Sequence, residues 1–114
     1  MECIFCKITK GEIPTKKIYE NESFFSILDI NQKIEGHSLI ISKKHFETLL
    51  NLPENLSQGL FDCIKKTAMK IIKEKNADGF NVINNNFESA GQLVKHFHIH
   101  ILPRKKGDNV NFFS

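Results

Sequence analysis

The stretch His96-Phe97-His98-Ile99-His100-Ile101-Leu102 decides how this chain is read. Side chains alternate across a β-strand, so residues two apart share a face. A strand from His96 to Leu102 puts His96, His98 and His100 on one face and Phe97, Ile99 and Ile101 on the other. The apolar face must pack on a core. Each two-residue step advances ~6–7 Å, so His96 and His100 stand about 13 Å apart along the backbone. One metal with ligand bonds near ~2 Å cannot hold all three rings from a straight strand. The three therefore have different tasks. Three of the chain's five histidines fall within five residues on one face, which ordinary surface histidines do not explain. A metal held by two neighbours of the row is an alternative, because imidazole is a common ligand.

Just upstream, Ser89-Ala90-Gly91-Gln92 offers a glycine where a backbone N–H can approach an anion closely. A histidine nucleophile beside fixed N–H donors is suited to attack on phosphorus.

Working outward, Lys17–Tyr19, Phe24–Ile30, Ser38–Ile41 and Phe80–Asn84 read as four more strands, with Asn21-Glu22-Ser23 as a polar turn. Residues 1–16 are turn-rich, broken by Gly11 and Pro14. Ser42 is placed to cap a short helix over Lys43–Leu50, and Pro53 suits the first turn of the next helix. From Leu56, apolar residues recur at Leu60, Phe61, Ile64, Ala68, Ile71 and Ile72, the spacing of one buried helical face. Cys63 and Met69 are expected in that core. Strands and helices do not strictly alternate, which predicts an α+β fold with a mostly antiparallel five-stranded sheet, one short helix and one long one.

The 114 residues suit a single domain, 1–114, with ten Phe and no Trp for the core. Sixteen basic and thirteen acidic residues leave a net charge of +3. The lysine pairs are scattered, so no nucleic-acid face is expected. No apolar run reaches the ~18–20 residues of a membrane span, and Met1-Glu2-Cys3-Ile4-Phe5-Cys6 does not read as a secretory signal. Three cysteines without such a signal point to reduced thiols and a cytoplasmic setting.

Cys3 and Cys6 form a C-x-x-C pair. A redox pair belongs at a strand-to-helix junction, and no strand precedes this one. Closed zinc needs two further ligands, with His37, His45 and the histidine row as candidates. Two idle thiols are also compatible with the spacing.

Taken together, the sequence resembles the histidine triad (HIT) family. The likeness runs from about Cys3 to Arg104. It is carried by the triad, by Asp29-Ile30, Gly36-His37-Ser38-Leu39-Ile40-Ile41, Lys44-His45 and Ala90-Gly91-Gln92, and by the opening Cys3-Ile4-Phe5-Cys6-Lys7-Ile8 with Gly11-Glu12-Ile13-Pro14. The resemblance implies a HIT-like fold and a homodimer. It implies that His98 attacks the α-phosphorus of a purine nucleotide and forms a nucleotidyl-histidine that water cleaves. It gives His100 and His37 to the supporting hydrogen-bond network and Gln92, with Gly91 and nearby N–H groups, to the phosphate. Asp29 takes the ribose, Asn85 lies near the phosphate, and Phe5, Ile8, Ile27 and Ile30 line the purine pocket. In the zinc-bearing branch the ligands match Cys3, Cys6, His45 and His96, a set suited to a closed structural site.

The activity expected from this likeness is hydrolysis of purine nucleoside phosphoramidates or related mixed phosphates. Dinucleoside polyphosphate hydrolysis uses the same residues. A purine-nucleotide-binding regulator with incidental catalysis is a third reading, and a zinc-stabilised interaction domain a fourth.

Overall fold

The computed structural model describes residues 3–110. Residues 1–2 and 111–114, at the two ends of the expected domain, lie outside the described residues. The elements are α1 (Ile4–Thr9), β1 (Tyr19–Glu20), β2 (Phe24–Leu28), β3 (Ser38–Ser42), α2 (Ser57–Lys75), β4 (Gly79–Ile83) and β5 (His98–Arg104). The five strands form one antiparallel sheet in the order β1-β2-β3-β5-β4. This is the α+β architecture expected from the sequence. No helix among the described residues is long and apolar enough to cross a membrane.

Register divides the sheet into two cores. His98 pairs with Ile41 and His100 with Leu39, and those two pair in turn with Phe25 and Ile27. Paired residues share a face, so the histidines lie on the side that also carries Phe5 and Ile8 of α1. On the opposite side Phe97, Ile99 and Ile101 pack with Phe24 and Ile40 against Cys63 and Ala68 of α2. Burying one such Phe or Ile contributes about 1.5–3 kcal/mol. Strand β5 is thus clamped from both faces while its histidines point to one of them.

Several local expectations are corrected. The fifth strand begins at His98, not His96, and runs on to Arg104. No helix forms over Lys43–Leu50. Backbone groups there serve neighbours instead: Lys43 N–H donates to the Ser23 carbonyl at 2.8 Å and Phe46 C=O accepts from Phe97 N–H at 2.6 Å. Ser42 ends β3, and its hydroxyl donates to the Lys44 carbonyl at 2.8 Å rather than capping a helix. Only a short 3₁₀ turn at Leu49–Asn51 forms, capped by Thr48.

The short helix is α1, inside the stretch read as turns. Cys3 caps it, accepting from Cys6 N–H at 3.4 Å, and it buries Phe5 and Ile8 three residues apart.

Helix α2 buries Cys63, Thr67, Ala68 and Ile71. Phe61 and Met69, expected in the core, are 63% and 57% exposed. The buried stripe is centred one step further round than the apolar residues suggested, because Thr67 occupies it and donates to Ser26 Oγ at 2.7 Å.

Candidate active site

Strand β5 delivers two rings to a cavity of about 360 Å³, and each is set by a different partner. His98 is buried, and its Nδ1 lies 2.7 Å from the carbonyl oxygen of His96. A carbonyl only accepts, so Nδ1 carries the proton and Nε2 keeps its lone pair. The His98 carbonyl accepts from Asn84 Nδ2–H at 3.0 Å, and the Phe5 ring meets the imidazole edge-on at 5.2 Å.

His100 is set the opposite way. Lys33 N–H donates to His37 Nδ1 at 3.2 Å, which leaves the proton of neutral His37 on Nε2. That Nε2–H faces His100 Nδ1 at 2.9 Å and Asp29 Oδ2 at 3.4 Å. His100 therefore accepts at Nδ1 and carries its own proton on Nε2. Two rings with centroids 5.1 Å apart offer, respectively, an unprotonated nitrogen and an N–H. Burial is the largest influence on His37, His98 and His100, and it lowers the pKa of each, that of His100 to about 4. All three are neutral near pH 7.

Asp29 follows β2. Its N–H donates to the His37 carbonyl at 2.9 Å, and its Oδ1 accepts from Asn31 N–H at 3.0 Å. This turn leaves Oδ2 facing His37. Gly36 holds His37 in place from the chain side. It has φ +96°, and a Cβ there would stand 2.9 Å from Lys75 Cγ and 3.0 Å from Pro103 Cγ, so only glycine fits.

Phe5, Ile8 and Ile27 are buried in the cavity wall with Leu39, while Ile30, 84% exposed, stands at its rim. Asn85 and Gly91 also line it. Gln92 does not line it. Its Oε1 accepts from Phe87 N–H at 2.7 Å and its Nε2 donates to Glu47 C=O at 2.6 Å, so both ends of the amide are engaged. The N–H groups of Gly91 and Gln92 are taken as well, by the carbonyls of Glu88 and Phe87 at 2.9 and 3.1 Å. The expected anion donors at this glycine are spent on closing a 3₁₀ turn at Glu88–Ala90. The next amides, of Leu93 and Val94, have no hydrogen-bond partner among the described residues, and both residues line the cavity. Residue type gives no hint of this, since every residue but proline carries that donor.

A second cluster lies behind the first. The ligand atoms of Cys3, Cys6, His45 and His96 lie within 4.8 Å of one another. His96 Nδ1 is 3.2 Å from Cys3 Sγ and 3.5 Å from Cys6 Sγ, and His45 Nδ1 is 3.2 Å from Cys6 Sγ. Sulfur and nitrogen ligands on tetrahedral zinc stand about 3.5 Å apart, given bonds of about 2.3 and 2.05 Å. His96 Nε2–H donates to the Ser42 carbonyl at 2.7 Å, which turns the lone pair of Nδ1 toward the thiols. Donor type, spacing and tautomer all fit a zinc ion. The ligand atoms of Asp29, His37 and His100 also converge within 4.8 Å, but the Lys33 N–H fills His37 Nδ1 and makes that group a hydrogen-bond relay.

Comparison with known proteins gives a consistent result. A HIT domain family model matches residues 10–107. An uncharacterized HIT-like protein of Methanocaldococcus jannaschii is 45% identical over 106 residues, covering 93% of this chain and 81% of the relative. The adenosine 5'-monophosphoramidase of Candida albicans is 40% identical over 107 residues, covering 90% and 70%. Among solved structures, a HIT family member from Bacillus subtilis matches with a TM-score of 0.91 at 43% identity, over 100% of this chain and 82% of that one. A Zn-bound histidine triad family protein from Mycobacterium smegmatis matches with a TM-score of 0.87 at 37% identity, over 98% and 81%.

Proposed function

We propose, on the premise that this chain belongs to the HIT domain family, that it is a nucleotidyl hydrolase cleaving purine nucleoside phosphoramidates or related mixed phosphates through a nucleotidyl-His98 intermediate. The observation that carries this reading is the opposite setting of two neighbouring rings, His98 with a bare Nε2 and His100 with Nε2–H. The relatives named as adenosine 5'-monophosphoramidases support the substrate class.

The base rests against Phe5, Ile8 and Ile27, with Ile30 at the edge, and Asp29 accepts from the ribose hydroxyls. The Leu93 and Val94 amides and His100 Nε2–H donate to the phosphate oxygens, with Asn85 and Gly91 alongside. Donors aimed at developing oxygen charge are a large term in such reactions. His98 Nε2 forms a bond to phosphorus as the bond to the leaving nitrogen breaks, and the departing amine takes a proton from water at the mouth. The His96 carbonyl, on Nδ1–H, stabilises the positive charge that develops on the ring. Water then adds to phosphorus and loses its protons, the N–P bond breaks, and the nucleoside monophosphate leaves. His37 orients His100, and Gln92 braces the loop that carries Leu93.

A structural zinc ion held by Cys3, Cys6, His45 and His96 belongs to the same reading. It ties α1, and so Phe5 and Ile8, to the base of β5. With four protein ligands it adds no open coordination position. A homodimer is part of the proposal too. The free edge of β4 presents Phe80 and Val82, and α2 presents Phe61 and Met69, an apolar surface of the kind partners cover. A cytoplasmic setting suits Cys3, Cys6 and Cys63, none of which is in a disulfide.

Intact-mass spectrometry after mixing with adenosine phosphoramidate tests the reading. We expect a transient adenylyl adduct on the wild type and none on His98→Ala. Nucleoside monophosphate binding with no turnover would leave the regulator. Faster cleavage of a dinucleoside polyphosphate than of the phosphoramidate would reassign the substrate.

A further inference from the structure

Strand β4 ends at Ile83, immediately before the run Asn84-Asn85-Asn86, and the three side chains divide. Asn85 lines the nucleotide cavity and its two neighbours do not. Their amides form a chain instead. Leu49 N–H donates to Asn86 Oδ1 at 2.8 Å, Asn86 Nδ2–H donates to Asn84 Oδ1 at 2.7 Å, and Asn84 Nδ2–H donates to the His98 carbonyl at 3.0 Å. A backbone N–H only donates and a carbonyl only accepts. The two ends of the chain therefore fix which way both amides face.

What the chain reaches is the peptide of His98. The pairing of β4 with β5 stops at Ile83 opposite His100, so no residue of β4 stands opposite His98. A side chain supplies the bond that one more strand residue would give. The far end of the chain is anchored too. Leu49 closes a segment whose Phe46 carbonyl accepts from Phe97 N–H and whose Glu47 carbonyl accepts from Gln92 Nε2–H. The anchor is thereby held against the residue just before His98. The ring itself is set separately, since its Nδ1–H donates to the His96 carbonyl. Tautomer and backbone position have different partners.

We propose that Asn86 is a positioning residue for the nucleophile, acting through Asn84 on the His98 peptide. The inference rests on the reading of His98 as the attacking group. The relay sets the backbone from which the ring projects, and a shift of about 1 Å at a reacting atom costs about 10²-fold in rate. Its polarity matters as much as its shape, because one reversed amide anywhere in the chain leaves two acceptors facing each other.

Two substitutions at residue 86 test it. Asn86→Ala removes the far half of the relay and leaves Asn84 its one paired orientation. The single-turnover rate of adenylyl transfer from adenosine phosphoramidate to His98 should fall by about two- to threefold, the scale of one weak hydrogen bond. Asn86→Asp keeps the shape and replaces the donor with an acceptor. Asn84 then turns to donate to the carboxylate, because a charge-assisted bond is the stronger, and its oxygen meets the His98 carbonyl. The rate should fall about 10- to 100-fold. In an Asn84→Ala background Asn86→Asp should add nothing, since the link is already cut. The His98 carbonyl ¹³C shift, which reads the hydrogen bond to that oxygen, should move in Asn86→Asp and in Asn84→Ala but stay near the wild-type value in Asn86→Ala. Circular dichroism verifies that each variant is folded. A merely structural role gives the opposite order, with truncation costing at least as much as the isostere. Asn86→Asp no slower than Asn86→Ala overturns the inference while the hydrolase stands. So does an Asn86→Asp loss that persists in the Asn84→Ala background, as a plain charge effect would. If the wild type forms no adenylyl-histidine, the hydrolase reading itself falls and takes the positioning role with it, whatever the carbonyl shifts show.

Discussion

His98 Nδ1 lies 2.7 Å from the carbonyl oxygen of His96, two residues earlier in the same chain. A ring held this way cannot rotate its protonated nitrogen into the cavity. Its nucleophilic nitrogen is therefore fixed before any substrate arrives, and burial keeps it unprotonated. Replacing His98 by Ala should lower kcat for adenosine phosphoramidate by roughly 10³-fold or more, as loss of a covalent nucleophile does. Adenosine monophosphate binding should persist within about tenfold, because the base and ribose walls are untouched. Single-turnover kinetics and calorimetry separate the two. A variant that still turns over at a wild-type rate removes the covalent mechanism.

His37 acts through His100. Its Nε2–H is what assigns His100 a proton on Nε2. His37→Ala should lower kcat by about 10- to 100-fold with a smaller change in KM, the range expected when a reacting group loses its orienting partner. A purely structural loss would also lower kcat, so the deciding readout is the His100 ring. Long-range ¹⁵N–¹H correlation spectra should show Nδ1–H rising in the variant. An unchanged tautomer would mean that something other than His37 sets that ring.

The same burial carries a pH signature in stability. His100 has an ordinary pKa of 6.5 when unfolded and about 4 when folded, and that of His37 is also lowered. Asp29 opposes the shift on both, while Lys33 adds to it on both and His98 adds to it on His100. Between those values the unfolded chain binds more protons than the folded one, so stability falls as pH drops. The contribution is fully present above about 6.5 and is lost progressively toward 4. Urea midpoints at pH 7.5, 5.5 and 4.5 should decline in that order. In His100→Asn the decline should be shallower. A midpoint that stays level across the series would show that the rings are charged in the folded state.

Much of this arrangement is legible in the residues. Alternation gave the two-faced histidine row of β5, whereas β3 showed as a short apolar run, Leu39-Ile40-Ile41, buried on both faces. The short helix α1 was hidden: its six residues bury only two apolar positions, Phe5 and Ile8, too few to show a period, and its cap Cys3 meets His96, 93 residues away. Phe61 and Met69 share the spacing of a buried stripe, but spacing fixes the width of a stripe and not its centre. Gln92 could be placed near the loop but not aimed. Its direction depends on Phe87 and Glu47, and Glu47 is distant in sequence.

That direction makes Gln92 a brace, and it predicts a stability effect. Gln92→Ala frees the Phe87 amide and the Glu47 carbonyl. The loss of two hydrogen bonds at a buried residue costs about 1–3 kcal/mol. Phe87 sits at φ +73°, a strained position for an aromatic residue, and its N–H bond to Gln92 helps hold it there. Equilibrium urea unfolding should give a lower midpoint with an unchanged slope. Hydrogen exchange should be faster across residues 87–94. A fully stable variant with unaltered exchange would return Gln92 to a direct role at the phosphate.

The cysteine cluster offers the remaining test, since His96 belongs to both halves of the molecule. Its ring faces Cys3 and Cys6, and its carbonyl holds His98. Purified protein should carry about one zinc per chain by elemental analysis, the stoichiometry of a closed four-ligand site. Cys3→Ser and Cys6→Ser should each reduce that content sharply, because a hydroxyl is a poor zinc ligand beside a thiolate. Each variant should unfold at a lower temperature, since the tie between α1 and β5 is lost. Nucleotide affinity should weaken with it, because Phe5 and Ile8 of the purine wall ride on α1. Strong chelation of the wild type should reproduce the pattern and re-addition of zinc should reverse it. If metal-free wild type keeps both its melting temperature and its nucleotide affinity, α1 is held by its apolar contacts with Phe25, Ile27 and Leu39 alone, and the four ligands do not act as a clamp.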